Sequence, residues 1–184
     1  MRRVFGPCVL MIGAALVAAP ARAQRQTRTV TRTVTRESRP VRVLRGWEET
    51  VKEAGREYTR RVEVVFDYEK GVARQNYYST DGLLYGFREI TQNMPAPSPE
   101  EIAEAQDLIL RDAELSRIVA RRSAVFEGGF ILEEGRGFPC GPGSRCLQIQ
   151  LLTPDHSGLI RWTVVDLVKR QIAYPVFVPK GANP

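Results

Sequence analysis

The sequence is poor in the side chains that hold metal ions. It contains one histidine, His156, and three cysteines among 184 residues. Cys8 lies in a segment that we expect to be removed with a signal peptide. A structural zinc site needs four ligands, so His156 and the two remaining cysteine thiolates leave it one ligand short unless a carboxylate joins. We therefore predict no metal ion and no cofactor.

The sequence also lacks an apolar run long enough to cross a membrane. The longest candidate follows Arg3 and is broken at Pro20, whereas a spanning helix needs about 20 apolar residues. A basic start, a short apolar run and the triplet Ala-Arg-Ala at 21–23 are typical of a secretory signal peptide. We expect residues 1–23 to be removed before Gln24, which leaves 161 residues of a secreted or periplasmic protein without a transmembrane segment.

No catalytic set stands out in the sequence. His156 lies beside Asp155 and Ser157, but neighbours in sequence point apart, and a triad is defined by geometry rather than adjacency. No serine lies in a strand-to-helix nucleophile elbow. Asp67 and Asp166 each follow a predicted strand and precede a lysine-bearing turn, which is typical of turn capping. We predict an exposed loop histidine and no enzyme activity.

Positive charge is present, but it is concentrated near the start of the chain. The net charge is +6, yet three arginines lie in the expected signal peptide and seven more lie in residues 24–45 against Glu37 alone. Subtracting these nine net charges leaves −3 from Gly46 onward, so a mildly acidic body follows a basic arm. The arginines of the arm are Arg25, Arg28, Arg32, Arg36, Arg39, Arg42 and Arg45.

The arm contains the alternating stretch TRTVTRTVTR at 27–36. Nothing in it is apolar enough to bury by itself, which favours a disordered, solvated leader over residues 24–45. The alternative is an arm that binds an anionic envelope polymer. Nucleic acid is not expected, because export separates the chain from it. The candidate polyanion contacts are Arg25, Arg28, Arg32, Arg36, Arg39 and Arg42.

Residues 46–91 alternate apolar and polar side chains between turn signals. This pattern predicts an antiparallel meander with strands at 62–68, 72–79 and 83–90, preceded by residues 47–54, which we interpret as a strand rather than a helical turn. Asp81-Gly82 favours a tight hairpin. Aromatic residues on strands are mostly buried, so we expect core positions rather than a ligand groove for Trp47, Tyr77, Tyr78, Tyr85, Phe87 and Trp162.

A proline-rich linker at 92–98 precedes the second half, residues 99–184. Ser98, Pro99 and Glu101 form the sequence of a capped helix start, and Asp112 is expected to cap a second short helix after a kink. Strands are predicted at 125–134 with a bulge at Gly128-Gly129, at 147–152, at 160–164 and, as an edge, at 172–178. The predicted fold is α+β, with antiparallel sheet and a kinked helix packed on one face.

The two cysteines of the expected mature chain lie in FPCGPGSRC, residues 138–146. A redox site needs the second thiol close behind the first, as in Cys-X-X-Cys at a helix start. Here five residues separate Cys140 from Cys146, and glycines and a proline favour a loop. Cysteines pair by default in an oxidising compartment, so we predict a structural Cys140–Cys146 disulfide that closes this loop.

Two stretches carry a resemblance to known families. SPEEIAEAQDLILRDAELSRIVARR and RWTVVDLVKRQIAY resemble the small N-terminal domains of copper amine oxidases and PepSY-type modules, over about residues 97–174. The resemblance implies a cystatin-like sheet wrapped on a helix, in an accessory rather than a catalytic domain. The oxidase needs three histidine ligands for copper and a tyrosine cofactor precursor; this chain has His156 alone, and Asn76-Tyr77-Tyr78 is its nearest match to the tyrosine motif, so no catalytic residue is transferred.

These observations favour an exported, non-enzymatic binding protein. Its α+β body is expected to recognise another secreted or envelope macromolecule, and inhibition of a secreted enzyme is one form of this. Binding of a polyanion or the envelope surface through the arm is the alternative, and thiol-disulfide exchange is a third hypothesis.

Overall fold

The computed structural model describes residues 41–179. The expected signal peptide at 1–23 lies outside the described residues. So do five arginines of the arm, namely Arg25, Arg28, Arg32, Arg36 and Arg39. The described part is an α+β structure of two four-stranded antiparallel sheets and two helices, which confirms the predicted class.

Both sheets keep the order of the chain, so that each strand pairs with the next one. The first contains β1 (Val41–Glu53), β2 (Arg56–Asp67), β3 (Val72–Tyr78) and β4 (Leu84–Ile90). The helices are α1 (Pro99–Arg111) and α2 (Ala113–Arg122). The second sheet contains β5 (Val125–Leu132), β6 (Cys146–Leu152), β7 (Leu159–Asp166) and β8 (Gln171–Tyr174). Both sheets belong to one compact unit.

The first sheet is buried at one end only. Alternation along β2 places Val64 and Phe66 in a cluster with Leu44 and Ala73, where the strands approach the rest of the unit. Toward the opposite end, the hairpin of β1 and β2 runs beyond the end of β3 and becomes exposed. The first sheet therefore has a covered end and an open end.

The helices begin as the sequence predicts. Ser98 accepts a hydrogen bond from the amide of Glu101, and the Glu101 side chain accepts one from the amide of Ser98, which completes the capping box. Asp112 caps α2 by accepting from the amides of Glu114 and Leu115. Each cap satisfies amides that a helix start leaves without a partner.

The second sheet is covered by the helices on one face and by the disulfide at one end of the other face. Helices α1 and α2 lie on one face, and their apolar side chains form the largest buried cluster with those of β6 and β7. Val165 of β7 belongs to that cluster, whereas its neighbour Val164 packs with the cysteines on the other face. Burial of alternate residues on opposite faces follows from the two-residue period of a strand. The buried members on the helix side include Ile109, Leu115, Leu147, Ile149 and Leu151.

Several predicted boundaries move, among them the start of β2, which is Arg56 rather than residue 62, and the end of β5, which is Leu132 rather than residue 134. The arm was expected to extend to residue 45, but β1 begins at Val41, because Arg42 and Val43 pair in register with Phe66 and Val65. The last strand was expected to reach Val178, but β8 ends at Tyr174, since Pro175 has no amide to donate to a ladder. The predicted bulge at Gly128-Gly129 is confirmed by a register shift.

Candidate functional site: a cleft beside the disulfide ring

The two cysteines form the predicted cross-link. Cys140 and Cys146 are joined in a disulfide with their Cα atoms 5.7 Å apart, and both residues are buried. Leu132, Tyr174 and Phe177 pack around them. Residues 140–146, called here the disulfide ring, are thus fixed against the second sheet.

One side chain of the disulfide ring enters the interior and forms a buried ion pair. Arg145 donates from Nε to Glu101 Oε1 at 2.9 Å and from Nη2 to Oε2 at 2.8 Å, and both side chains are fully buried. The planar guanidinium fits the carboxylate with two parallel hydrogen bonds. Glu101 therefore serves both the capping box and the ion pair.

Groups from the first sheet and the linker complete the surroundings of this ion pair. Arg145 also donates to the carbonyl of Pro95 at 2.9 Å and lies over the ring of Phe66 at 5.0 Å. The hydroxyl of Tyr68 donates to Glu101 Oε1. Burial and the charge of Glu101 raise the pKa of Tyr68, so that it stays a protonated donor. The ion pair therefore joins α1, the linker and both sheets.

Two turns also meet the disulfide ring. Gly71, in the turn after β2, lies so close to Gly143 that a Cβ at Gly71 would overlap the backbone of Gly143. In the turn after β7, Asp166 accepts from the amide of Arg145 at 3.4 Å, and Leu167 donates to the Arg145 carbonyl at 2.9 Å. The ring is thereby held by both halves of the described structure.

A cleft of about 390 Å³ lies between the two sheets beside the disulfide ring. One wall comes from the start of β3 and the end of β4, and the other from the end of β5 and the ring itself. Its volume falls in the range of about 300 to 1,000 Å³ that is usual for ligand pockets. Its apolar lining includes Val72, Ala73, Ile90, Met94, Ile131 and Leu132.

The strand that leads to this cleft carries an exposed apolar surface. Within five residues, Leu83, Leu84, Tyr85 and Phe87 are 66%, 47%, 49% and 61% exposed. The expectation that Tyr85 and Phe87 are core residues is therefore wrong. Tyr85 lies near the start of β4, and Phe87 lies opposite Asn76 in the β3–β4 register, on the edge strand of the first sheet. We call residues 83–87 the β4 apolar surface.

Other residues singled out in the sequence do not join this site. Arg42, expected to contact polyanions, is half-buried in β1, where Nη2 lies 2.7 Å from Glu104 and the guanidinium lies over Tyr68. His156 is exposed in its turn and lies 2.5 Å from Glu127. Asp155 accepts from Thr153 and Ser157 rather than from the histidine, and these hydrogen bonds lower the pKa of Asp155 to about 2.

Sequence reasoning missed the ion pair and the cleft. Glu101 was identified only as a capping acid, and Arg145 was not identified at all. The one available signal was the position of Arg145 beside Cys146 in a loop that the disulfide closes. The partners of the ion pair are 44 residues apart, so no local pattern connects them.

Comparison with family models gives no match, and comparison with curated proteins gives none. The resemblance to amine oxidase N-terminal domains and PepSY-type modules therefore stays a prediction. Within residues 41–179, neither helix has the length and hydropathy of a membrane span. Across the same residues, no group of three or more His, Cys, Asp or Glu side chains is arranged to hold a metal ion.

Proposed function

We propose that this chain is an exported, non-enzymatic binding protein that accepts an extended segment of a partner protein along β4. The partner's backbone would pair with the free edge of β4, and its apolar side chains would cover the β4 apolar surface. Strand addition of this kind supplies affinity through backbone hydrogen bonds and specificity through side-chain contacts. Inhibition of a secreted enzyme by a cystatin-like second half, with a kinked helix, belongs to the same proposal.

The β4 apolar surface is the observation that carries this proposal. Four edge strands are present among the described residues, and they differ in what they expose. Val43 is the exposed large apolar residue of β1, Phe130 is that of β5, and β8 has none. Edge strands normally carry devices that prevent pairing, and several apolar side chains exposed together mark an interaction surface.

The alternatives have less support. The arginines of the arm that are predicted to bind a polyanion lie outside the described residues, apart from Arg42. The guanidinium of Arg42 already has Glu104 as a partner. Thiol exchange needs an accessible sulfur, whereas Cys140 and Cys146 are 1% and 0% exposed. Binding through the body remains the function that we propose.

The proposal is tested by comparing two phenylalanines on edge strands. Phe87 on β4 and Phe130 on β5 are 61% and 66% exposed. The chain from residue 24 onward, immobilised, would be used to capture proteins from its own secretion or envelope fraction. We expect Phe87→Ser to reduce the captured partner at least about fivefold, as loss of a central aromatic contact does, and Phe130→Ser to leave it unchanged. Equal retention by both variants would refute binding at β4.

Deletion of residues 24–39 tests the arm in the same assay. If the body binds the partner, capture by the shortened chain should be unchanged. Loss of capture in the shortened chain, together with salt-sensitive retention of the longer chain on heparin, would favour the polyanion alternative instead.

A further inference from the structure

The cleft between the sheets differs in chemistry from the surface that leads to it. The end of β4 forms part of the cleft wall. One end of a strand that pairs along β4 would therefore lie at the cleft. The floor and walls are apolar, but three carboxylate side chains lie among the lining residues: Glu89, Glu133 and Glu134. Lysine and arginine are absent from this lining within the described part of the chain.

Two of these carboxylates are held in place by the surrounding structure. Glu134 and Cys140 exchange backbone and side-chain hydrogen bonds, with Glu134 N donating to the Cys140 carbonyl at 2.9 Å and Cys140 N donating to Glu134 Oε2 at 3.2 Å. Tyr174 donates to the same carboxylate at 2.7 Å. Glu133 Oε1 accepts from the amide of Met94 at 3.1 Å. The disulfide ring thus positions part of the acidic lining.

The third carboxylate is available to a ligand. Within residues 41–179, Glu89 has no ion-pair or side-chain hydrogen-bond partner, although Arg74 lies opposite it in the β3–β4 register. Two other cations, Arg136 and Lys169, line a second depression, which shares residues 141–144 of the disulfide ring with the cleft. A positive group entering the cleft would therefore meet negative charge on the lining itself, while Arg74, Arg136 and Lys169 lie outside that lining.

We infer that the segment accepted along β4 carries a basic side chain, lysine or arginine, that enters this cleft. This inference rests on the proposed function, since the paired strand is what delivers the side chain. The methylene groups of the basic residue would pack on Ile90, Met94 and Leu132, and its charged end would lie between Glu89 and Glu133. Long basic side chains combine these two kinds of contact, and opposite charge across an interface selects one partner over another.

The inference is tested with three labelled peptides and the chain from residue 24 onward. Each peptide is a short extended sequence rich in threonine and valine, with lysine, glutamine or glutamate at the centre. Fluorescence anisotropy would measure binding at low and at moderate salt. We expect the lysine peptide to bind about fivefold more tightly than the glutamine peptide, which is the effect of one or two partly exposed ion pairs. The glutamate peptide should bind most weakly.

Matched variants locate the effect. Glu89→Gln with Glu133→Gln should remove most of the preference for lysine, because the side chains keep their size and lose their charge. Glu48→Gln, at an exposed position on the opposite edge of the same sheet, should leave the preference intact. Phe87→Ser should weaken all three peptides by a similar factor and preserve their ratio.

The two proposals fail in different ways. Equal binding of the three peptides, lost in Phe87→Ser, would leave strand acceptance standing and overturn the basic side chain. A lysine preference that persists in the double glutamine variant would also overturn the inferred basic side chain, since the lysine would then bind outside the cleft. Absence of binding by every peptide up to millimolar concentration would overturn both proposals.

Discussion

The turns after β2 and β7 share one hydrogen-bonding pattern and contrast at their fifth residue. In each, the strand ends in an aspartate whose Oδ1 accepts from the amides two and three residues later: Asp67 from Glu69 and Lys70, Asp166 from Val168 and Lys169. In each, the fifth residue has a left-handed backbone, Gly71 with φ 64° and Arg170 with φ 53°. A side chain is excluded at position 71, because the backbone of Gly143 lies against it. Arg170, in contrast, is exposed.

The difference shows that local hydrogen bonds form the turn, whereas tertiary contacts restrict which residue is allowed at its fifth position. An aspartate cap and a left-handed residue are sufficient for the conformation. Glycine is required only where the turn touches the disulfide ring. Each turn also approaches Arg145 in its own way, the first through the side chain of Tyr68 on Glu101 and the second through backbone groups of Asp166 and Leu167.

Removal of the positive charge of Arg145, which both turns approach, should have the largest effect on stability. We expect Arg145→Met to lower the free energy of unfolding by about 3 to 5 kcal/mol, because Glu101 is left buried without its counter-charge. Urea unfolding followed by circular dichroism measures this loss. The double variant Arg145→Met with Glu101→Gln should lose less than Arg145→Met alone, because glutamine carries no charge and can still accept in the capping box; an equal or larger loss would contradict a penalty from the unpaired carboxylate.

A side chain at position 71, in the turn after β2, should lower the free energy of unfolding by nearly as much. Gly71→Ala places a methyl group against the Gly143 backbone in a left-handed conformation, and we expect a loss of about 2 to 4 kcal/mol. Arg170→Ala is the matched control in the second turn, where the neighbouring Glu104 lies 3.5 Å away and Arg170 is exposed. It should change stability by less than about 0.5 kcal/mol, and similar losses in both turns would refute the close approach.

Opening the disulfide ring should affect both turns together. We expect reduction, or Cys140→Ser with Cys146→Ser, to lower the free energy of unfolding by about 2 kcal/mol through the chain entropy of a short loop. Hydrogen exchange should quicken at the amides of Gly71 and Leu167 and remain slow at that of Ile149. Intact mass should rise by about two units on reduction, as two thiols replace one bond. Exchange that quickens in one turn only would show that the ring supports that turn alone.

The smallest effect should come from making the second turn resemble the first. Arg170→Gly relieves a left-handed conformation in which nothing excludes a side chain, although glycine also gains freedom in the unfolded chain. We expect a gain of about 0.5 kcal/mol, since a left-handed residue other than glycine costs about 1 to 2 kcal/mol. Thermal unfolding measures it, and a loss of stability would mean that the ion pair with Glu104 outweighs the backbone strain.

Local patterns predicted the elements of this fold, and distant contacts lay beyond them. Alternation identified the strands, Ser98 and Asp112 identified the helix starts, and Asp67 and Asp166 were recognised as turn caps, because each depends on residues a few positions apart. The disulfide followed from pairing of two nearby cysteines. The site could not be predicted in this way: Arg145 meets Glu101 from 44 residues away. Phe87 was expected in the core, since its pattern does not reveal that β4 is an edge strand of the sheet.

The location of Arg145 inside the disulfide ring has a consequence for the order in which the chain assembles. The cysteines are six positions apart, so their encounter is a local event, whereas the Arg145–Glu101 contact must close a much longer loop. When the disulfide forms early, Arg145 is already held in a short closed loop before α1 packs against it. Refolding from the reduced state should therefore be slower than refolding with the disulfide intact, because the Arg145–Glu101 contact then forms from a less restricted loop.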